Sequence, residues 1–115
     1  ALSLGVAEPY GSGLGGKLML LYFEAATGRT FAIDAMDAAD DSLEVTAYLK
    51  RPAEDRTYGY GSVAVPGLAE GLWAAHRRWG RLPWADTVAP AIRLAREGFE
   101  VLPKTRDQFV EQEAK

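Results

Sequence analysis

The stretch Gly11-Ser12-Gly13-Leu14-Gly15-Gly16-Lys17-Leu18-Met19-Leu20-Leu21-Tyr22 decides how this chain is read. Gly11, Gly13, Gly15 and Gly16 permit positive φ and close backbone approach, which predicts irregular structure from Gly11 to Gly16. Lys17 to Glu24 hardly alternates between apolar and polar residues, so it predicts a strand with both faces buried. Ala25 to Arg29 reads as a turn, and Thr30 to Asp34 as the returning strand. A helix over Leu18 to Ala26 competes, but Gly28 and the β-rich Thr30-Phe31-Ala32-Ile33 favour the hairpin. The order of elements argues against a phosphate cradle. Phosphate loops follow a strand and open a helix, whose free N–H groups and dipole hold the anion. Here the glycines precede a strand, and Lys17 is followed by Leu18 rather than Ser or Thr.

Outward from this stretch, Ala1 to Ala7 reads as the tail of a helix that Pro9 stops. Met36 to Tyr60 is acidic, weakly periodic and broken by Pro52. It predicts a long surface loop with one short helical turn near Leu43 to Leu49. From Pro66 the pattern is helical, with Leu68, Leu72, Ala75, His76 and Trp79 on one face and Gly80 as a left-handed cap. A second helix follows Leu82-Pro83, with Trp84, Val88, Ile92 and Ala95 on its face, a kink at Pro90 and a cap at Gly98. A third runs from Lys104 to Lys115, with Phe109 and Val110 on its buried side.

The 115 residues suffice for one small domain with a modest core. A formal charge of -3 argues against a nucleic-acid surface, and Arg77, Arg78 and Arg81 fall beside a helix end, where they complement its dipole. With no cysteine, disulfides, thiolate metal sites and a cysteine nucleophile are excluded. The longest apolar run, Leu18 to Phe23, is far too short to span a bilayer, and the N-terminus lacks the order of a signal peptide. Starting at Ala rather than Met suggests a processed or trimmed chain. The compartment stays open: a soluble protein, cytoplasmic or exported.

Few residues offer chemistry. His76 is the single histidine, and its position on an apolar helix face fits a boundary residue bonded to a carbonyl better than a ligand or base. Asp34, Asp37, Asp40 and Asp41 lack the glycine turn and terminal glutamate of a calcium loop, and read as a solvated acidic loop. No serine sits in a Gly-x-Ser-x-Gly elbow. A small hydrolase built on Ser12 and His76 requires those two side chains within hydrogen-bond reach.

The ordered motifs resemble one family. Val6-Ala7-Glu8-Pro9 followed by Ser12-Gly13-Leu14-Gly15-Gly16 is similar to the opening signature of gamma-glutamyltranspeptidases. Leu20-Leu21-Tyr22, Ile33-Asp34 and Val63-Ala64-Val65-Pro66-Gly67-Leu68-Ala69-Glu70-Gly71-Leu72 follow in the family's order. The most specific stretch is Arg78-Trp79-Gly80-Arg81-Leu82-Pro83-Trp84-Ala85-Asp86, continuing through Ala89-Pro90-Ala91-Ile92-Arg93-Leu94-Ala95-Arg96-Glu97-Gly98-Phe99. The resemblance runs from Val6 to Val101 and is weakest between Asp37 and Tyr58.

The resemblance implies an α+β chain, a β-hairpin plus helices, that is part of a four-layer αββα N-terminal-nucleophile hydrolase fold. Residues 1–115 are then expected to form a single incomplete domain, the N-terminal part of a large subunit. It implies partners: the remainder of that subunit, and a small subunit whose N-terminal threonine attacks a gamma-glutamyl amide such as that of glutathione. The acyl group then passes to water or an amino acid, so the full enzyme is a hydrolase or acyltransferase. No nucleophile falls within this chain, no cofactor or metal is implied, and no nucleic acid or membrane is expected as partner. Self-association of the isolated chain is expected from unpaired strand edges and apolar faces. The family's substrate contact in this region is an arginine that grips the glutamyl α-carboxylate, within a Leu/Ile-Asp-x-Arg-Glu pattern. Ile33-Asp34-Ala35-Met36-Asp37 places Met36 at that arginine, and the loop's third glycine is Lys17. Methionine cannot pair with a carboxylate. A non-catalytic scaffold or partner-binding relative is the alternative that this loss raises.

Overall fold

The computed structural model describes residues 1–113, which divide into two compact units, 15–71 and 1–14 with 72 onward. The first unit is built on an antiparallel hairpin of β1 (Leu18–Glu24) and β2 (Arg29–Ala35). Its register runs from Glu24 opposite Arg29 to Leu18 opposite Ala35. The turn closes because the Glu24 carbonyl accepts from both Thr27 and Gly28 N–H groups. Gly28 adopts φ 67°, a conformation other residues reach only with strain.

β1 alternates instead of being buried on both faces. Leu18, Leu20 and Tyr22 are half-buried, whereas Met19, Leu21 and Phe23 are 76%, 79% and 62% exposed. An all-apolar strand needs a layer on each side to hide both faces, and among the described residues only one face is covered.

The chain leaving β2 is tied back by a two-way bridge between Ala38 and Val65, with N···O distances of 3.0 and 2.8 Å. Between them lies the long acidic loop, holding α3 (Val45–Leu49) and a 3-10 turn over Tyr60–Ser62. Glu44 caps α3 by accepting from the Ala47 N–H at 3.0 Å. The next helix, α4 (Leu68–Trp79), begins against the hairpin's end. Leu68 N–H donates to the Gly16 carbonyl at 3.1 Å. A Cβ on Gly67 would lie 2.3 Å from the Ala35 carbonyl oxygen and 2.5 Å from that of Met36. One on Gly71 would lie 2.5 Å from the Ala35 Cβ and 2.9 Å from Leu18 Cδ2. Two bare positions four residues apart thus let the backbone meet the hairpin directly.

The second unit contains α1 (Leu2–Ala7), the one-turn α2 (Pro9–Ser12), the rest of α4 from Leu72, α5 (Trp84–Glu97) and α6 (Pro103–Glu113). α1 packs on α5. Four sequence expectations are corrected here. Gly11 and Ser12 complete a helical turn opened by Pro9, which is pre-set for a first helical position, so irregular structure begins only at Gly13. Gly80 has no positive φ; a Cβ there would strike the His76 carbonyl oxygen at 2.5 Å and the His76 ring at 2.7 Å, so close approach rather than handedness selects glycine. The covered face of α5 runs through Trp84, Val88, Ala91 and Leu94, and Ile92 and Ala95 are exposed. Phe109 and Val110 are 44% and 55% exposed, whereas Thr105 is buried. The expectations for α1, α3, the face of α4 and the cap at Gly98 (φ 83°) agree with the structure, while the last two residues of the predicted third helix lie outside the described ones.

Leu68 and Ala91 are the only buried apolar residues among those described. A soluble domain of this length ordinarily hides far more. No described helix is long and apolar enough to cross a membrane.

The glycine contacts predict a contrast. Gly67→Ala should cost about 1–3 kcal/mol through overlap with two backbone carbonyls. Gly15→Ala, with nothing within 4 Å of its Cβ, should fall within about 0.5 kcal/mol of wild type. Denaturant melts of the two variants in the full-length protein check this.

Candidate functional site

The residues singled out for chemistry in the first unit gather where the hairpin ends. Met36 follows β2 and is 42% exposed. Its N–H donates to Asp34 Oδ1 at 3.2 Å, a local turn that fixes the backbone whatever side chain position 36 carries. Lys17 precedes Leu18, the residue opposite Ala35, so Lys17 and Met36 take facing positions just beyond the last pair of the hairpin. The Lys17 ammonium lies 3.7 Å from the Asp37 carboxylate, with both side chains in contact with solvent. An exposed pair of this kind contributes at most about 1 kcal/mol, so the ammonium remains available.

Beside Asp37 opens a cleft of about 730 Å³, lined among others by Ser42, Glu44, Tyr48, Arg51 and Tyr60. Its carboxylates already have partners. Asp37 faces Lys17, Glu44 caps α3, and Asp40 accepts from the Ser42 hydroxyl and from the Ser42 N–H at 2.7 Å. The Ser42 hydroxyl, and then its N–H, hold the Asp40 carboxyl below the usual carboxylate range. A depressed folded value stabilises above the unfolded one and is lost as pH falls through the folded one. Asp34, Asp37 and Asp40 each serve a local role, and no group of three or more carboxylate or histidine side chains among the described residues could hold a metal.

His76 lies in the second unit, in an aromatic cluster. Its ring stacks on Trp73 at 6.0 Å and meets Trp84 edge-on at 4.9 Å, and Trp73 and Trp84 meet edge-on at 5.2 Å. Nε2 is 2.9 Å from the Leu82 carbonyl oxygen. A carbonyl only accepts, so Nε2 carries the proton and the ring pins the α4–α5 connection. No hydrogen bond joins His76 to Ser12, which removes the basis for a small hydrolase built on that pair. Arg78 places its guanidinium 4.9 Å from the Trp79 ring centroid at the C-terminal end of α4.

The sequence model of the gamma-glutamyltranspeptidase family matches residues 1–115. This chain belongs to that family. Among curated gamma-glutamyltranspeptidase relatives, it is 38% identical over 102 residues to glutathione hydrolase 3 of Arabidopsis thaliana, covering 89% of this chain and 16% of that protein. It is 35% identical to the glutathione hydrolase proenzyme of Pseudomonas aeruginosa, covering 90% of this chain and 19% of that one. Among solved structures, the gamma-glutamyltranspeptidase of Pseudomonas nitroreducens complexed with L-DON superposes with a TM-score of 0.87 at 27% identity, over 98% of this chain and 34% of that one. The Helicobacter pylori gamma-glutamyltranspeptidase shares the fold, with a TM-score of 0.89 at 23% identity over 96% of this chain and 32% of that one. The chain thus spans less than a fifth of these curated relatives and about a third of the solved chains. It is an α+β piece of the N-terminal-nucleophile hydrolase fold.

Met36 stands out in the sequence, whereas the contacts of Gly67 with the Ala35 and Met36 carbonyls, and of Gly71 with Ala35 and Leu18, do not. The signal was their four-residue spacing at the start of a helix, which puts both on one face.

If His76 is structural, His76→Phe should keep the ring stacking and lose only the bond to Leu82. Stability should drop by about 1 kcal/mol in a thermal melt, and the pH–rate profile of the full-length protein should keep its shape.

Proposed function

We propose that residues 1–115 are the N-terminal part of the large subunit of a gamma-glutamyltranspeptidase-like amidohydrolase or acyltransferase, packed within one larger domain. The observation that carries this reading is the match of the whole chain to the family while it spans so small a share of each relative. The thin core and uncovered face of β1 support it, since both suit a piece built to pack on further layers. In this reading the nucleophile is the N-terminal threonine of a small subunit, outside these residues. The threonine hydroxyl, activated by its own α-amine, attacks the amide carbon of a gamma-glutamyl donor. The C–N bond breaks and the amine departs with the hydroxyl's proton, leaving an acyl-enzyme whose acyl group then passes to water or an amino acid and frees the threonine. The present chain contributes no attacking group. Its part is to shape one wall of the acyl site where the hairpin ends.

Met36 motivates a second reading, a non-catalytic relative that keeps the fold as a scaffold. The two separate by measurement. The full-length protein should hydrolyse a gamma-glutamyl anilide, whereas purified residues 1–115 should show no turnover. Activity in the short chain refutes an external nucleophile, and inactivity in the mature full-length protein favours the scaffold.

The exposed Met19, Leu21 and Phe23 lead to a further expectation for residues 1–115 alone. Light scattering should show self-association that rises with concentration and weakens in Leu21→Lys. A monomer at high concentration with cooperative melting counts against it.

A further inference from the structure

We propose that the cleft between α3 and the Tyr60–Ser62 turn binds a short free peptide, gripping its C-terminal carboxylate with Arg51 and its ammonium with Glu44 and Asp40. The cleft encloses about 730 Å³, within the range that takes a drug-sized ligand. Neither Lys17 nor Met36 lines it, so it is a different place from the open end of the hairpin.

Among the described residues Arg51 is the one cation lining the cleft, and its guanidinium crosses from one wall to the other. On the α3 side it lies 5.7 Å from the Tyr48 ring centroid. On the other side it meets the bare Gly61, where a Cβ would come 2.9 Å from Nη1. The Tyr48 ring is itself held, because its hydroxyl donates to the Arg56 carbonyl at 3.2 Å. Among the described residues no carboxylate stands within ion-pair distance of Arg51, and no acceptor takes its side-chain N–H groups. An oriented guanidinium with its fork of donors unused matches a carboxylate through two parallel hydrogen bonds.

The rest of the lining requires a positive charge on the same ligand. Among the described residues the Asp40 carboxylate accepts only from Ser42, and the Glu44 carboxylate only from the Ala47 N–H. Those donors are neutral, so both negative charges stand uncompensated, unlike that of Asp37, which faces Lys17. A simple anion is repelled there, whereas a zwitterion completes both poles. The short helix α3 sets the distance between the poles. Glu44 is its N-cap and Lys50, next to Arg51, its C-cap, six helical rises or roughly 9 Å apart. An extended peptide advances about 3.3 Å per residue, so three residues bridge that span. Tyr60, wholly exposed beside Gly61, offers its ring to the side chain of the C-terminal residue.

The test is calorimetric titration of the full-length protein with the tripeptide glycyl-glycyl-phenylalanine, with its C-terminal amide and with its N-acetyl form. The free tripeptide should bind, and each blocked form should bind roughly 10- to 100-fold more weakly. Arg51→Gln should bring the free tripeptide down to the level of its amide and leave the amide unchanged. Tyr60→Ser should weaken the tripeptide and its amide alike. Both side chains are exposed, so the two variants should melt with wild type. No binding by wild type, equal binding of the amide, or wild-type binding by Arg51→Gln overturns the proposal. Equal binding of the N-acetyl form marks a protein tail as the ligand instead of a free peptide, and overturns it too. None of these titrations needs turnover, so they decide the cleft whether or not the catalytic reading holds.

Discussion

The contact between α4 and the end of the hairpin is the constraint from which the rest of the first unit follows. Gly67 and Gly71 present no side chains, so the helix backbone sits against the Ala35 and Met36 carbonyls, the Ala35 methyl and Leu18. Interiors tolerate neither voids nor overlap at this scale. With the helix fixed there, Leu68 N–H finds Gly16, Val65 bridges Ala38, and both strands are held at their open end. The acidic loop between Ala38 and Val65 then has its two ends clamped together. Its interior can be irregular without loosening the hairpin.

The elements whose signals are local were legible from the residues. The hairpin follows from β-rich runs around Gly28, and α4 from a period that puts Leu68, Leu72, Ala75, His76 and Trp79 on one side. What escaped depends on partners distant in the chain. Leu18 to Phe23 is apolar throughout, so nothing in its pattern says which face these 113 residues cover. The covered face of α5 runs through Ala91 and Leu94, α1 packs on α5, and a sequence pattern carries no record of which side α1 approaches. Gly80 looked like a left-handed cap because glycine after a helix usually is one. Its real constraint is the His76 ring, folded back over the same turn to reach Leu82.

The candidate site divides along the same line. Met36 was visible as a departure from a family pattern, one residue at one place. That Lys17 faces it required the register of the two strands, which the residues alone leave undetermined.

The turn by which Asp34 accepts the Met36 N–H has an evolutionary consequence. The backbone at position 36 is shaped by an aspartate, a glycine and a bridge, each acting through main-chain atoms of this segment. That side chain can change identity while its scaffold stays as it was. Such a position accepts single substitutions at little risk to folding. A protein family that keeps its architecture while diversifying its chemistry would be expected to place its specificity at sites of this kind.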